Sequence, residues 1–174
     1  MKNGCITDAK GNKSWYLNDA LHREDGPAVE RASGTREWFI NDKRHRLDGP
    51  AVEAANGDRE WYVNGQWHRE DGPSVLRASG NYKWYFRDRR HRLDGPAIVN
   101  NGTKEWYQND KLHRTDGPAI ESVNGDKEWY INGERHREDG PAIVRVNGDE
   151  VWFLKGKKID PSRIAELREQ LAKK

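Results

Sequence analysis

One cysteine stands in 174 residues, so no internal disulfide can brace this chain. Aliphatic side chains are scarce as well: Leu, Ile, Val and Phe together make 29 residues, below the level at which composition alone suggests disorder. No run of 18 apolar residues exists, which excludes a membrane-spanning helix. The opening Met-Lys-Asn-Gly-Cys-Ile lacks the apolar stretch of a secretory signal. A lone Cys5 with no signal predicts a cytoplasmic protein. Charge of one sign is missing too. The formal net charge is +2, with Lys and Arg interleaved among Asp and Glu, which gives little support for a polyanionic partner.

What the chain does have is tryptophan on a ruler. Trp15, Trp38, Trp61, Trp84, Trp106, Trp129 and Trp152 follow one another at 23, 23, 23, 22, 23 and 23 residues. A fixed period of this length marks a tandem-repeat protein. Each Trp is preceded at four residues by a Gly, from Gly11 to Gly148. Seven residues after all but the last Trp comes a histidine: His22, His45, His68, His91, His113 and His136. These are all the histidines of the chain, and Arg follows each one. An Asp-Gly-Pro triplet then begins at Asp25, Asp48, Asp71, Asp94, Asp116 and Asp139. Arg31-Ala-Ser-Gly34 returns as Arg77-Ala-Ser-Gly80, so the first four repeats read as a duplicated pair. The one-residue deletion falls between Pro96 and Gly102, where a strand end or turn can absorb it.

Turn chemistry punctuates every repeat. Asn64-Gly65 and Asn132-Gly133 are hairpin dipeptides, with Asn41-Asp42 and Asn109-Asp110 as variants. Between turns lie short stretches such as Arg59–Val63 and Ala142–Val146, rich in aromatic and β-branched residues. Gly and Pro recur too often for a helix. The expected fold is all-β: tandem β-hairpin repeats of about 23 residues forming an elongated single-layer antiparallel meander over residues 4–156. A ring closed by the two chain ends is the rival topology. Aromatics bury roughly 150–250 Å² each and can replace missing aliphatics. Alternation puts Trp61 and Val63 on one side, and Tyr62 with Glu60 on the other. The Trp side is the expected core. Residues 4–8 read as a second strand without its first, and Trp152–Leu154 as a first strand without its second. Residues 160–172 read as a capping helix: Asp160 at the cap, Pro161 at the first position, and a stripe of Ile164, Leu167 and Leu171. Its expected role is to cover an exposed edge strand.

The Asn-Gly-x-x-His string within these units, clearest at Asn64–His68 and Asn132–His136, resembles MORN repeats over residues 4 to about 156. The chain departs from them after the His, where Arg-x-Asp-Gly-Pro replaces Gly-x-Gly, and in the register of its aromatics. This form looks like a divergent variant associated with large DNA viruses and phages. The resemblance implies a single-layer array of hairpins that serves as a binding scaffold. For a viral protein it implies residence in the host cytoplasm and a host protein as target.

His-Arg-x-Asp is the most chemically suggestive string. Metal ligation needs donors that close on one point. Successive His stand about two strand spacings apart, ~9.6 Å in an untwisted sheet, too far to share an ion at ~2.1 Å from each. A catalytic dyad repeated six times would be unusual, and an Asp-Gly-Pro turn accounts for the Asp by itself. The six His and six Asp are therefore expected to form a structural network, with no catalytic residues, no metal and no cofactor. Binding is expected where repeats differ. Trp67 stands where other repeats have Leu21, Arg44, Arg90, Leu112 and Arg135, and Tyr82, Phe86 and Arg87 are also off-pattern. With Arg89 and Arg90 they are the candidate contact residues for a protein partner, since Trp and Arg dominate binding hot spots. Local packing is an equally good account of Trp67. The alternative function is nucleic-acid or nucleotide binding, with bases stacked on the Tyr/Phe row beside Lys43–Arg46 and Arg87–Arg92.

Overall fold

The computed structural model describes residues 1–164 and 166, and within them the fold is all-β. The chain divides into two compact units, Met1–Arg89 and Arg90–Lys174. In the first, Gly4–Thr7, Lys13–Leu17, Val29–Glu30, Arg36–Glu37, Val52–Glu53, Arg59–Glu60, Val75–Leu76 and Tyr82–Lys83 follow one another across an antiparallel meander. In the second, Ile98–Asn100, Thr103–Glu105, Ile120–Glu121, Lys127–Glu128, Ile143–Val144, Glu150–Leu154 and Lys157–Ile159 do the same.

The strands are shorter than sequence alternation suggests, because the chain changes partners at each Trp. Arg59–Val63 is not one strand. Arg59–Glu60 pairs with Leu76 and Val75 in the meander, whereas Tyr62–Val63 folds back on Gln66–Trp67 as a small hairpin. Trp61 sits at the junction: its amide N–H donates to the Ser74 carbonyl at 2.8 Å, and its carbonyl accepts from His68 N–H at 3.1 Å. Trp15, Trp38, Trp106 and Trp129 repeat this arrangement with Ala28, Ala51, Ala119 and Ala142. After each small hairpin the His-Arg-x-Asp-Gly-Pro loop returns the chain to the meander.

The hairpin tips are the two-residue turns read from Asn-Gly. Asn64 and Gly65 have φ of 52° and 83°, and Asn132 and Gly133 have 53° and 88°. Both central residues of such a turn need positive φ, which the twist of the flanking strands favours. The one-residue deletion is absorbed in a turn. Glu30 and Arg36 flank a longer loop, with Arg31 N–H bonded to the Thr35 carbonyl. In the repeat with the deletion, Asn100 pairs directly with Thr103 around Asn101-Gly102.

The core differs from expectation. No Trp is fully buried; all seven repeat Trp are half-buried. The fully enclosed residues are Ala28, Ala51, Ser74, Ala97, Ala119 and Ala142, one after each Asp-Gly-Pro, joined by Val75. Tyr62 and Tyr107, on the opposite face from Trp, are buried too, as are the carboxylates of Glu37 and Glu128. The physical reason is thickness. A single sheet layer can enclose a Cβ, but an indole is covered only by whatever side chain a neighbouring loop lays over it.

The C-terminal hairpin is complete, contrary to the sequence reading. Lys157–Ile159 pairs with Trp152–Leu154 around Lys155-Gly156, and Ile159 opposes Trp152. At the other end, Asn3 stands in for a histidine: its Oδ1 accepts Asn18 N–H at 2.7 Å. Asp160 does cap a turn, accepting from the Ser162 amide and hydroxyl at 2.9 and 2.8 Å, over a 3-10 turn at Pro161–Arg163. Most of the expected helix, including Leu167 and Leu171, lies outside the described residues. No helix among the described residues is long and apolar enough to cross a membrane.

Candidate functional site

The string shared between repeats is occupied with holding its own loop. Arg69 donates through Nε to Asp71 at 2.8 Å and through Nη1 to the Pro73 carbonyl at 3.5 Å, while its guanidinium lies 4.1 Å over the Trp61 ring. The clamp recurs at Arg23, Arg46, Arg114 and Arg137, whose guanidinium carbons sit 4.0–4.2 Å from Trp15, Trp38, Trp106 and Trp129. It explains the Gly of Asp-Gly-Pro: a Cβ on Gly72 would come within 2.6 Å of the Arg69 guanidinium carbon. The hydrogen bond and positive charge of the paired Arg hold Asp25, Asp48, Asp71, Asp94 and Asp116 below the usual carboxylate range. Asp139 receives the same bond, from Arg137 Nε at 2.8 Å.

The histidines serve the neighbouring tip. Nδ1 of His22, His45 and His113 lies 2.9–3.0 Å from Oδ1 of Asn41, Asn64 and Asn132. The backbone N–H of those Asn points at the same nitrogens from 3.2–3.4 Å. Asn109 N–H reaches His91, and Lys155 N–H reaches His136. Among the described residues no group of three His, Cys, Asp or Glu could hold a metal ion.

His68 departs from this pattern. Its Nδ1 is buried with no hydrogen-bond partner; the next tip carries Arg87 where five tips carry Asn and the last carries Lys155, whose N–H still reaches His136. The imidazole instead packs against Phe86, with ring centroids 4.8 Å apart. Arg87 holds φ at 51° without the side-chain carbonyl that makes Asn common there. Its guanidinium lies 5.3 Å over the Phe86 ring. Phe86 is 40% exposed. Arg89 occupies the place of Gln66, which opposes Val63 in the third repeat. Among the described residues no carboxylate pairs with Arg87 or Arg89.

The other candidates fall elsewhere. Trp67 is on the Tyr face, stacked between Tyr62 at 5.5 Å and Tyr85 at 5.1 Å, with its indole N–H 3.5 Å from Glu60. Arg44 and Arg135 fill the same position in other repeats. Arg44 lies between Phe39 and Tyr62 at 5.7 and 5.5 Å, and Arg135 between Tyr130 and Phe153 at 5.7 and 5.5 Å. Trp67 is thus one more leaf between successive rings. Tyr82 sits in the meander opposite Leu76. Arg90 belongs to the second unit, where it bonds Asp110 at 2.8 Å and covers Tyr107 at 4.1 Å. Of the six residues singled out by sequence, Phe86, Arg87 and Arg89 share one hairpin tip and its Trp-side surface.

Alternation places Glu60 and its equivalents on the Tyr face but does not reveal their burial and pairing with Arg and Tyr. Glu37 accepts from Arg44 at 2.7 Å and Arg31 at 3.1 Å. Glu60 accepts from the Tyr62 hydroxyl at 2.9 Å and Arg77 at 2.7 Å. Burial raises Glu128, but hydrogen bonds from Tyr130 and Arg135 outweigh it and hold the group below its ordinary value. Burial and the carboxylate of Glu105 push the Tyr107 hydroxyl up to about 12, and burial with Glu60 pushes Tyr62 up as well. The available signal was the Glu that precedes Trp38, Trp61, Trp106 and Trp129.

On the Trp face, open grooves lie between successive loops. One of about 610 Å³ runs between the Arg23–Pro27 loop and Trp38, Ile40 and His45. Another of about 640 Å³ is lined by Arg114–Gly117, Trp129, Ile131 and His136. Their walls are the clamped Arg and Asp side chains, so they are regular features of the repeat. No protein-family model matches the chain, and no curated protein matches it either.

Proposed function

We propose that this protein is a non-enzymatic scaffold of MORN-like repeats that binds another protein through the tip at Phe86–Arg89. The observation that carries the reading is the contrast between that tip and the shared motif. The repeated His, Arg and Asp are committed to one another, to backbone and to Trp, which leaves them no free nucleophile–base pair. At the fourth tip Arg87 replaces Asn, Phe86 is partly exposed, and among the described residues no carboxylate pairs with Arg87 or Arg89. A preorganised aromatic beside Arg is the composition of a binding hot spot. A viral or phage origin, with a host cytoplasmic protein as target, fits the resemblance of the repeats.

The test is affinity capture with the full chain from a lysate of its source cells, before and after nuclease, alongside Phe86→Ala. The expected result is one protein retained after nuclease and lost with Phe86→Ala. Retention of nucleic acid alone, or of the same protein by the variant, would overturn the reading.

A further inference from the structure

Resting on that reading, we infer that the segment bound at the fourth tip is acidic and carries one apolar side chain that packs on Phe86. Residues 82–90, Tyr-Lys-Trp-Tyr-Phe-Arg-Asp-Arg-Arg, hold four cations and one carboxylate. That carboxylate faces the preceding tip: Asp88 Oδ1 accepts the Trp67 backbone N–H at 2.7 Å. Asp42 makes the equivalent bond to Leu21 N–H, so the Asp is part of how tips join. Asp88 keeps its charge but is turned to Trp67, and no carboxylate among the described residues forms an ion pair with Arg87 or Arg89. A guanidinium fork matches a carboxylate in a bidentate pair. Phe86 packs on the His68 ring and has the Arg87 guanidinium over it at 5.3 Å, so binding need not order it first.

The surroundings select a short acidic segment over a nucleic acid. On the same face of the first unit the loops present Glu24 and Asp25, Asp48, and Glu70 and Asp71, with side chains 79–85% exposed. A phosphate backbone running from repeat to repeat would meet these carboxylates at every step. A peptide of a few acidic residues, anchored at one tip, meets the arginines and avoids most of the ridge.

The test uses the full chain and fluorescein-labelled twelve-residue peptides with a central Leu flanked by Glu and Asp, by Lys, or by Ser. A twelve-nucleotide oligo-dT is the fourth probe, and anisotropy is the readout. The acidic peptide alone should bind, with an affinity that falls as salt rises. Arg87→Asn with Arg89→Gln gives the fourth tip the third tip's residues at these positions, so folding is preserved. This pair should weaken binding at least tenfold while the melting temperature holds or rises. Equal binding by that variant, or oligo-dT binding as tightly as the acidic peptide, would overturn the inference. So would failure of the acidic peptide to bind. If the peptide fails while protein capture still depends on Phe86, the acidic assignment falls and the protein-binding reading survives. If capture is indifferent to Phe86, both fall.

Discussion

Arg87 is the residue whose chemistry fits its position least. It holds a positive φ that Asn, through its short polar side chain, adopts more readily, and it leaves His68 Nδ1 buried without a partner. Arg87→Asn restores what His22, His45 and His113 have. It should stabilise the protein by roughly 0.5–1.5 kcal/mol, the net value of one hydrogen bond, read as a shifted urea midpoint at constant slope. Lys155 holds a similar φ of 48° at the last tip, but its N–H reaches His136, so the unpartnered imidazole is particular to the fourth tip. Gly72 makes the opposite case, a residue fixed by its neighbour. A methyl group there would displace the Arg69 guanidinium from Trp61, Asp71 and the Pro73 carbonyl together. Gly72→Ala should cost about 1–3 kcal/mol, the range for forcing extra volume into a packed site. Gly80→Ala is not an equivalent control, because its φ of 85° strains any side chain.

At the scale of elements, the tips were readable and the strand breaks were not. Asn-Gly dipeptides specify two-residue turns by their own backbone preferences. Alternation correctly paired Trp61 with Val63 and Tyr62 with Glu60. It could not reveal that hydrogen-bond partners switch at Trp61, because side-chain alternation continues unbroken through the junction. Nor could it rank the faces. Trp looked like core because of its size, yet the most enclosed residues are the small Ala and Ser after Asp-Gly-Pro with Val75, and Arg supplies the lid for Trp. Trp67 looked like an exception because its neighbours in the alignment of repeats are Arg and Leu. In space it does what Arg44 and Arg135 do, filling the gap between successive rings. The prediction is a split. Trp67→Arg should leave stability within about 1 kcal/mol, as for a surface exchange that keeps its role. Trp67→Ala should cost about 2–4 kcal/mol by leaving Tyr62 and Tyr85 unfilled between them. Equal losses for both variants in thermal melts would contradict the role of spacer.

At the scale of the whole molecule, the repeated ion pairs make stability depend on carboxylates remaining charged. Asp25, its equivalents in four other loops, and Glu128 are held below ordinary values of 3.8 and 4.5. A depressed folded-state value contributes stability above the unfolded value and loses it as pH falls through the folded one. Melting temperature should therefore hold from neutrality to about pH 5 and fall progressively below about pH 4. Tyr62 and Tyr107 carry the opposite sign. Their raised hydroxyls contribute stability below pH 10 that is lost on further alkalinisation. A melting temperature that stayed level from neutrality down to about pH 3 would contradict this ionic account.

The central claim is that shared residues build this scaffold and the departures at the fourth tip bind the partner. Giving the fourth tip the third tip's side chains tests it most directly: Phe86→Val, Arg87→Asn and Arg89→Gln in one chain, keeping Asp88 and its bond to Trp67 N–H, with melting temperature and partner capture measured side by side. The account predicts an equal or higher melting temperature and complete loss of the captured protein. Undiminished capture by a chain that melts as the wild type does would contradict it.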